Sequence, residues 1–316
     1  MSGGKQPVSG NPLLQLLFGA VCISFAPVFV KLVGAERLGP TAMGFWRTLF
    51  GGLILFSMAT AQGRRLILSR RLYGFSLLAG FIFFLDLFFW HRSVIYCGAG
   101  MSTILGNTQV FMTAIISFLI FKERPLLRFW LSAVSAIVGV ALLVGLGTQD
   151  VVFTEQYISG IVFGLATGIV YAHYLITMRW AGHREAAPDI LVFMAWTSIF
   201  SALFLGVSAA IESAPAIPPD TPSWLYLVTL GLVAQALGWW AITTSLAKTV
   251  ASRAGLVLLL QPTLAMVWGV VMFHEQFTFT QAIGAVITLT AIYFGGLRLK
   301  GAETEVLIPN LEQRQH

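Results

Sequence analysis

Ten stretches of this chain are each apolar for about the 20 residues that a helix needs to cross a bilayer. They run over 12–33, 40–61, 72–96, 99–121, 128–147, 157–178, 188–212, 222–247, 251–273 and 279–298. The connections between them, such as GAERLGP, QGRRLILSRR, KERPLLR and ESAPAIPPDTP, gather Gly, Pro and charge where hydrocarbon would not tolerate irregular backbone. Composition agrees: 57% of residues are hydrophobic and 10% charged, against roughly 25% charged in a soluble domain. The expected fold is an all-α membrane protein of ten transmembrane helices. The polar ends, 1–11 and 299–316, are expected to lie outside the bundle as short segments.

The net charge of +6 does not call for an acidic partner such as nucleic acid. Its carriers sit in short connections: Arg64, Arg65, Arg70, Arg71, Lys122, Arg124, Arg128, Arg179, Arg184, Lys248, Arg253, Arg298 and Lys300 all share one side if the N-terminus is cytoplasmic. Glu36, Asp150, Glu155, Glu212, Asp220 and Glu275 then take the other side, with Lys31 and Arg37 as its flanking cations. The positive-inside rule therefore places both termini in the cytoplasm of a multi-pass plasma-membrane protein, the inner membrane in a bacterium.

The stretch from Gly98 to Pro125 returns in looser form from Val250 to Phe277, shifted by 152 positions. At that offset Ser93 meets Ser245, Ala99 meets Ala251, Gln109 meets Gln261, Phe121 meets Phe273, Glu123 meets Glu275, Ala133 meets Ala285 and Val134 meets Val286. Each copy is a membrane-length run that is polar near its middle and closes on an aromatic, a basic residue or His, and Glu. A repeat halves the fold problem. It divides the chain into 12–147 and 157–298, five spans each. Five is odd, so the second unit enters the membrane from the opposite side. Inverted-topology pairs of this kind belong to secondary transporters, whose site lies between the halves near mid-membrane.

With those features in view, the chain resembles the drug/metabolite transporter superfamily, in its EamA-like branch. The resemblance is carried by Phe45-Trp46-Arg47 early in the second span, by Glu123 and Glu275 ending the fourth and ninth, and by Gln281-Ala-Ile-Gly284 opening the tenth. It implies ten helices, a central cavity lined by the first, third, fourth, sixth, eighth and ninth, and export or exchange of small metabolites.

An intramembrane charge costs about 2.5–3.5 kcal/mol on insertion scales, so Arg47, Asp86, His91 and Arg92 are the first candidates for function. At 1.5 Å per residue, Arg47 lies on the order of 10 Å inside the outer end of its run and Asp86 on the order of 15 Å, depths that suit an ion pair. Asp86 and His91 are the expected proton-coupling groups. Arg92, nearer the outer end, is expected to snorkel toward the interface. Asn107, Gln109 and Gln261 are amides near mid-membrane, Gln261 beside the helix-breaking Pro262, and are expected at the substrate site. The resemblance places Trp90, Tyr171 and Trp239 on the pocket wall. Mixed charge suits an amino-acid-like cargo. Glu123 and Glu275 read as capping and loop groups. Small residues crowd the fifth and tenth runs, which are expected to be close-packed or to form a homodimer contact.

No P-loop, HExxH or GxSxG motif occurs, and Cys22 and Cys97 have no metal-ligand spacing. The expectation is a transporter and not an enzyme, with no cofactor or metal, working on a small metabolite, with protons as a candidate coupling ion, in a lipid bilayer. A channel or an intramembrane enzyme is the alternative.

Overall fold

The computed structural model describes residues 11–121, 127–146, 151–184, 189–246 and 257–296, and every regular element among them is helical. The first apolar run is two helices, α1 (Pro12–Ser24) and α2 (Ala26–Val33). Pro27 in the first turn of α2 forces the break, since it has no N–H and its ring crowds the carbonyl one turn back. Then come α3 (Pro40–Ala61) and α4 (Arg70–Cys97). Ser69 caps α4 by accepting the Leu72 N–H, and Gly98 ends it at φ 93°. The fourth run is also split, into α5 (Ala99–Asn107) and α6 (Gln109–Phe121). At the joint the Thr108 hydroxyl donates to the Leu105 carbonyl at 2.6 Å, competing with the helical ladder.

The chain continues through α7 (Leu127–Leu143), α8 (Glu155–Arg184) and α9 (Ile190–Ile211), the last capped by Asp189 on the Leu191 and Val192 N–H groups. The eighth run is a composite. It opens as α10 (Thr221–Thr229), widens into a π-helical segment over Leu230–Gly238, and returns to α-geometry as α11 (Trp239–Leu246). Two shorter helices, α12 (Leu260–Phe273) and α13 (Phe279–Gly296), complete the described chain.

Six described segments are long and apolar enough to cross a membrane: Pro12–Val33, Pro40–Ala61, Arg70–Cys97, Glu155–Met178, Ile190–Ile211 and Thr221–Ser245. Leu127–Leu143, Leu260–Phe273 and Phe279–Gly295 are apolar but shorter. Leu14, Leu131, Ile137, Leu203 and Val271 are exposed, as expected for a surface that meets lipid. This is a multi-pass membrane protein.

Packing pairs elements across the two halves of the chain. Helix α4 lies along α8, α3 along α9, α7 along α13 and α5 along α12, while α1 packs on α11 and the π segment. Glycines permit the closest approaches. A Cβ on Gly139 of α7 would collide with Thr288 of α13, and one on Gly284 of α13 with the α7 backbone. The small residues of α7 and α13 are thus used against each other. The largest buried cluster joins α3, α4, α8 and α9 through Leu55, Phe83, Leu87, Tyr174, Phe193 and Leu205.

Candidate functional site

Charge is buried where α3, α4, α8 and the π segment meet. Arg47, on α3, is 4% exposed, and Asp86 and His91, one and a half turns apart on α4, are 7% and 0% exposed. The Arg47 Nε donates to Gln235 Oε1 at 3.2 Å, and its guanidinium carbon sits 5.4 Å from the centroid of the Trp90 ring. Gln235 in turn donates from Nε2 to the Ser198 hydroxyl of α9 at 3.1 Å.

Arg47 and Asp86 lie within electrostatic reach of each other but do not form the direct ion pair that their depths suggest: no nitrogen–oxygen contact within 4.0 Å joins them. Asp86 Oδ1 is buried without a hydrogen-bond partner. Tyr171 and Tyr174 stand one helix away on α8, Tyr174 against Phe83 of α4 at 5.3 Å. The two tyrosine rings stack at 6.2 Å, and Trp239 meets them edge-on at 5.9 and 6.2 Å and meets Phe83 edge-on at 6.3 Å. Trp239 Nε1 also lacks a partner. His91 receives or donates one bond, between Nδ1 and the Leu87 carbonyl at 2.7 Å, and its Nε2 is buried with none. Buried polar atoms are nearly always paired; six described side chains have one that is not, and Asp86, His91 and Trp239 are three of them, beside Thr197, Ser201 and Ser223.

The arrangement can hold both signs of charge. Arg47 offers a cation and Asp86 an anion, while Trp90, Tyr171, Tyr174 and Trp239 supply aromatic faces that accept an ammonium or an apolar chain. Among the described residues no group of His, Cys, Asp and Glu could hold a metal ion.

Six of the nine expected site residues therefore converge: Arg47, Asp86, Trp90, His91, Tyr171 and Trp239. The amides do not join them. Asn107 Nδ2 donates to the Thr103 carbonyl of its own helix at 2.8 Å, and Gln109 Oε1 accepts from Thr113 at 2.8 Å. Gln261 is half-buried on α12. No hydrogen bond or ring contact links these three to the charged cluster among the described residues. The cluster draws on the second, third, sixth and eighth spans, whereas the resemblance placed the cavity on the first, third, fourth, sixth, eighth and ninth.

Outside the cluster, Arg92 does not run free to the interface. It donates to Glu212 Oε1 at 2.8 Å and to the Thr41 hydroxyl at 3.0 Å. His173 is exposed on the outer face of α8. Glu275 accepts the Ala99 N–H at the start of α5 and pairs with Lys31, a capping role with an ionic partner added. Glu123 lies outside the described residues. An open recess lined by Val151, Tyr157, Phe277 and Gln281 stands apart from the cluster, since Tyr157 and Tyr171 are about 21 Å apart along α8.

Sequence reasoning missed Gln235, Ser198 and Tyr174. Gln235 had a usable signal: it is a lone amide inside the apolar run 222–247, between Thr229 and Trp239.

The family described as the EamA-like transporter family matches twice, over residues 11–145 and 158–296. An uncharacterized transporter of Synechocystis sp. is 24% identical, covering 89% of this chain and 91% of its own. A probable amino-acid metabolite efflux pump of Salmonella typhimurium is 26% identical over 64% of this chain and 69% of its own. A solved crystal structure, at 16% identity, shares the fold with a TM-score of 0.65 over 90% of this chain and 98% of that one. With two matches that together span nearly all of the described helices, the chain belongs to the EamA-like transporter family.

Proposed function

We propose that this transporter is a secondary-active carrier that exports or exchanges a small, amino-acid-like metabolite by alternating access, with protons as the coupling ion. The observation that carries the reading is the cluster of Arg47, Asp86 and His91, buried between elements of both halves with unpaired polar atoms and aromatic walls. An amino acid carries both charges and an apolar chain, and each has a counterpart there.

Ten spans in two inverted units are part of the same proposal. Exchange of the halves maps the α4–α8 contact onto that of α1 and α2 with the composite eighth span, and leaves the α3–α9, α5–α12 and α7–α13 pairs unchanged as pairs. The joint at Thr108 in one copy also corresponds, within one residue of the 152 offset, to the turn at Leu259 in the other. Two matches to one family, one per half, support the same division. Asp86 and His91 are the proposed proton carriers because both have ionisable side chains inside the bundle and each keeps a buried polar atom without a protein partner.

Flux measurements test this. Purified protein in proteoliposomes loaded with an amino-acid mixture should show saturable counterflow of at least one labelled member, and a proton gradient should drive net movement. Conductance without counterflow would make it a channel, and chemical conversion without flux an enzyme.

A further inference from the structure

Gln235 lies within the π-helical segment Leu230–Gly238, one residue past its middle, and is 3% exposed. π-Turns inside α-helices are uncommon and recur at functional sites, because the wider turn re-aims a side chain. Here the segment lies against α3 with glycine facing backbone: a Cβ on Gly231 would collide with Phe50 and Gly51, and one on Gly51 with the Gln235 side chain itself. The Gln235 side chain therefore packs its Cβ and Cγ on Gly51 of α3, with its amide at Arg47. Both of its ends are used. Oε1 accepts from Arg47 Nε at 3.2 Å, and Nε2 donates to Ser198 Oγ at 3.1 Å. A flipped amide would set its NH2 against the Arg47 N–H, so the two bonds fix one orientation.

The identity of the residue matters more than its contacts. A Glu here would hold the same Nε more strongly, in the charge-assisted bond that buried guanidinium groups ordinarily find. An amide holds the guanidinium in place without cancelling its charge. No carboxylate lies within ion-pairing distance of Arg47, and among the described residues no hydrogen bond reaches its two terminal nitrogens. From this we infer that Gln235 is a positioning residue: it aims Arg47 as the receptor for a carboxylate on the cargo while leaving that receptor without a directly paired anion. The inference rests on the carrier reading for what the site binds, but it concerns binding and not flux.

The test uses the full purified chain in detergent, with the L-amino acids as probes and the methyl ester of each acid that binds. Melting shifts find the binders and calorimetry gives affinities. The parent should prefer free acid over ester by tenfold or more. Gln235→Glu should melt at or above the parent temperature, yet lose at least tenfold in affinity for the acid and bind acid and ester alike. Gln235→Met leaves the Arg47 charge unanswered but unaimed, and should weaken acid binding severalfold while keeping the preference for acid. Should Gln235→Glu fail to fold, Gln235→Met and Gly51→Ala, which displaces the amide sterically, still read the aiming role. A parent that binds no free acid, or binds acid and ester equally, overturns the inference. So does a folded Gln235→Glu variant with unchanged acid preference, which is what a structural bond alone predicts. Acid-selective binding without counterflow would sink the carrier reading and leave Gln235 standing; counterflow without acid preference would do the reverse.

Discussion

An unpaired carboxylate in a membrane protein's interior carries a desolvation penalty with nothing local to offset it. Asp86 is only partly relieved of it: Oδ1 is unbonded, and Arg47, though within electrostatic reach, is too far to pair directly. If Asp86 were structural, replacing it would weaken the fold. If it is kept for a proton or an ammonium, stability is being given up at that position, and the isosteric amide should recover some of it. Asp86→Asn is therefore expected to melt higher than the parent, by roughly 1 kcal/mol or more in unfolding free energy, and to lose the dependence of counterflow on a proton gradient. A lower melting temperature together with intact gradient dependence would show a structural group instead. His91 gives a paired test. Its Nδ1 is tied to the Leu87 carbonyl, so His91→Gln, which can still meet that carbonyl, should keep its melting temperature and weaken the dependence of counterflow on a proton gradient.

At the scale of elements, hydropathy and proline made much of the fold legible. The run boundaries fall close to the helix ends because each is a change from apolar to Gly, Pro or charged residues, and Pro27 announces the α1–α2 break. Thr108 does not announce the α5–α6 joint, since threonine is ordinary inside a helix until its hydroxyl turns back on its own carbonyls. The π segment is silent for a similar reason: LGLVAQALG has no residue that requires a wide turn, and its geometry comes from docking glycines against α3. That is also why the charge site was only partly legible. Arg47, Asp86 and His91 stand out in any apolar run, but the partner that holds Arg47 is set by tertiary contact.

One junction of elements carries its own prediction. Lys31 near the end of α2, Glu275 just past α12 and the Ala99 N–H at the start of α5 meet at one point, with Lys31–Glu275 at 2.5 Å and Glu275–Ala99 at 2.8 Å. The Lys31 ammonium also rests 4.7 Å from the Phe273 ring. Each chain turns sharply there, at Gly34, Gly98 and the left-handed His274. Both side chains are about an eighth to a quarter exposed, so breaking the pair should cost about 1–3 kcal/mol, between surface and buried values. Glu275→Gln can still accept the Ala99 N–H and should lose less stability than Glu275→Ala, while Lys31→Met should match Glu275→Gln. Equal melting temperatures for all three and the parent would mean that the junction does not hold these helices together.

For the whole molecule, the decisive question is the sense in which the two halves thread the bilayer. The proposed inversion puts the 62–69 connection on the cytoplasmic side and the 212–220 connection on the opposite side. In the structure these connections meet different partners: Arg64 pairs with Asp189 at the start of α9, whereas Asp220 pairs with Arg37 ahead of α3. Each ion pair thus joins a loop of one half to a loop of the other, and the two sit at opposite ends of the α3–α9 pair. Single cysteines at Gly63 and at Ser213, in a chain with Cys22 and Cys97 replaced by Ala, turn that geometry into a measurement. With an impermeant maleimide applied to intact cells, Ser213→Cys should label and Gly63→Cys should label only after the membrane is opened. Labelling of both from the same side would leave the halves parallel rather than inverted. A parallel pair has no symmetry operation that exchanges an inward-facing for an outward-facing cleft, and alternating access would lose its structural basis.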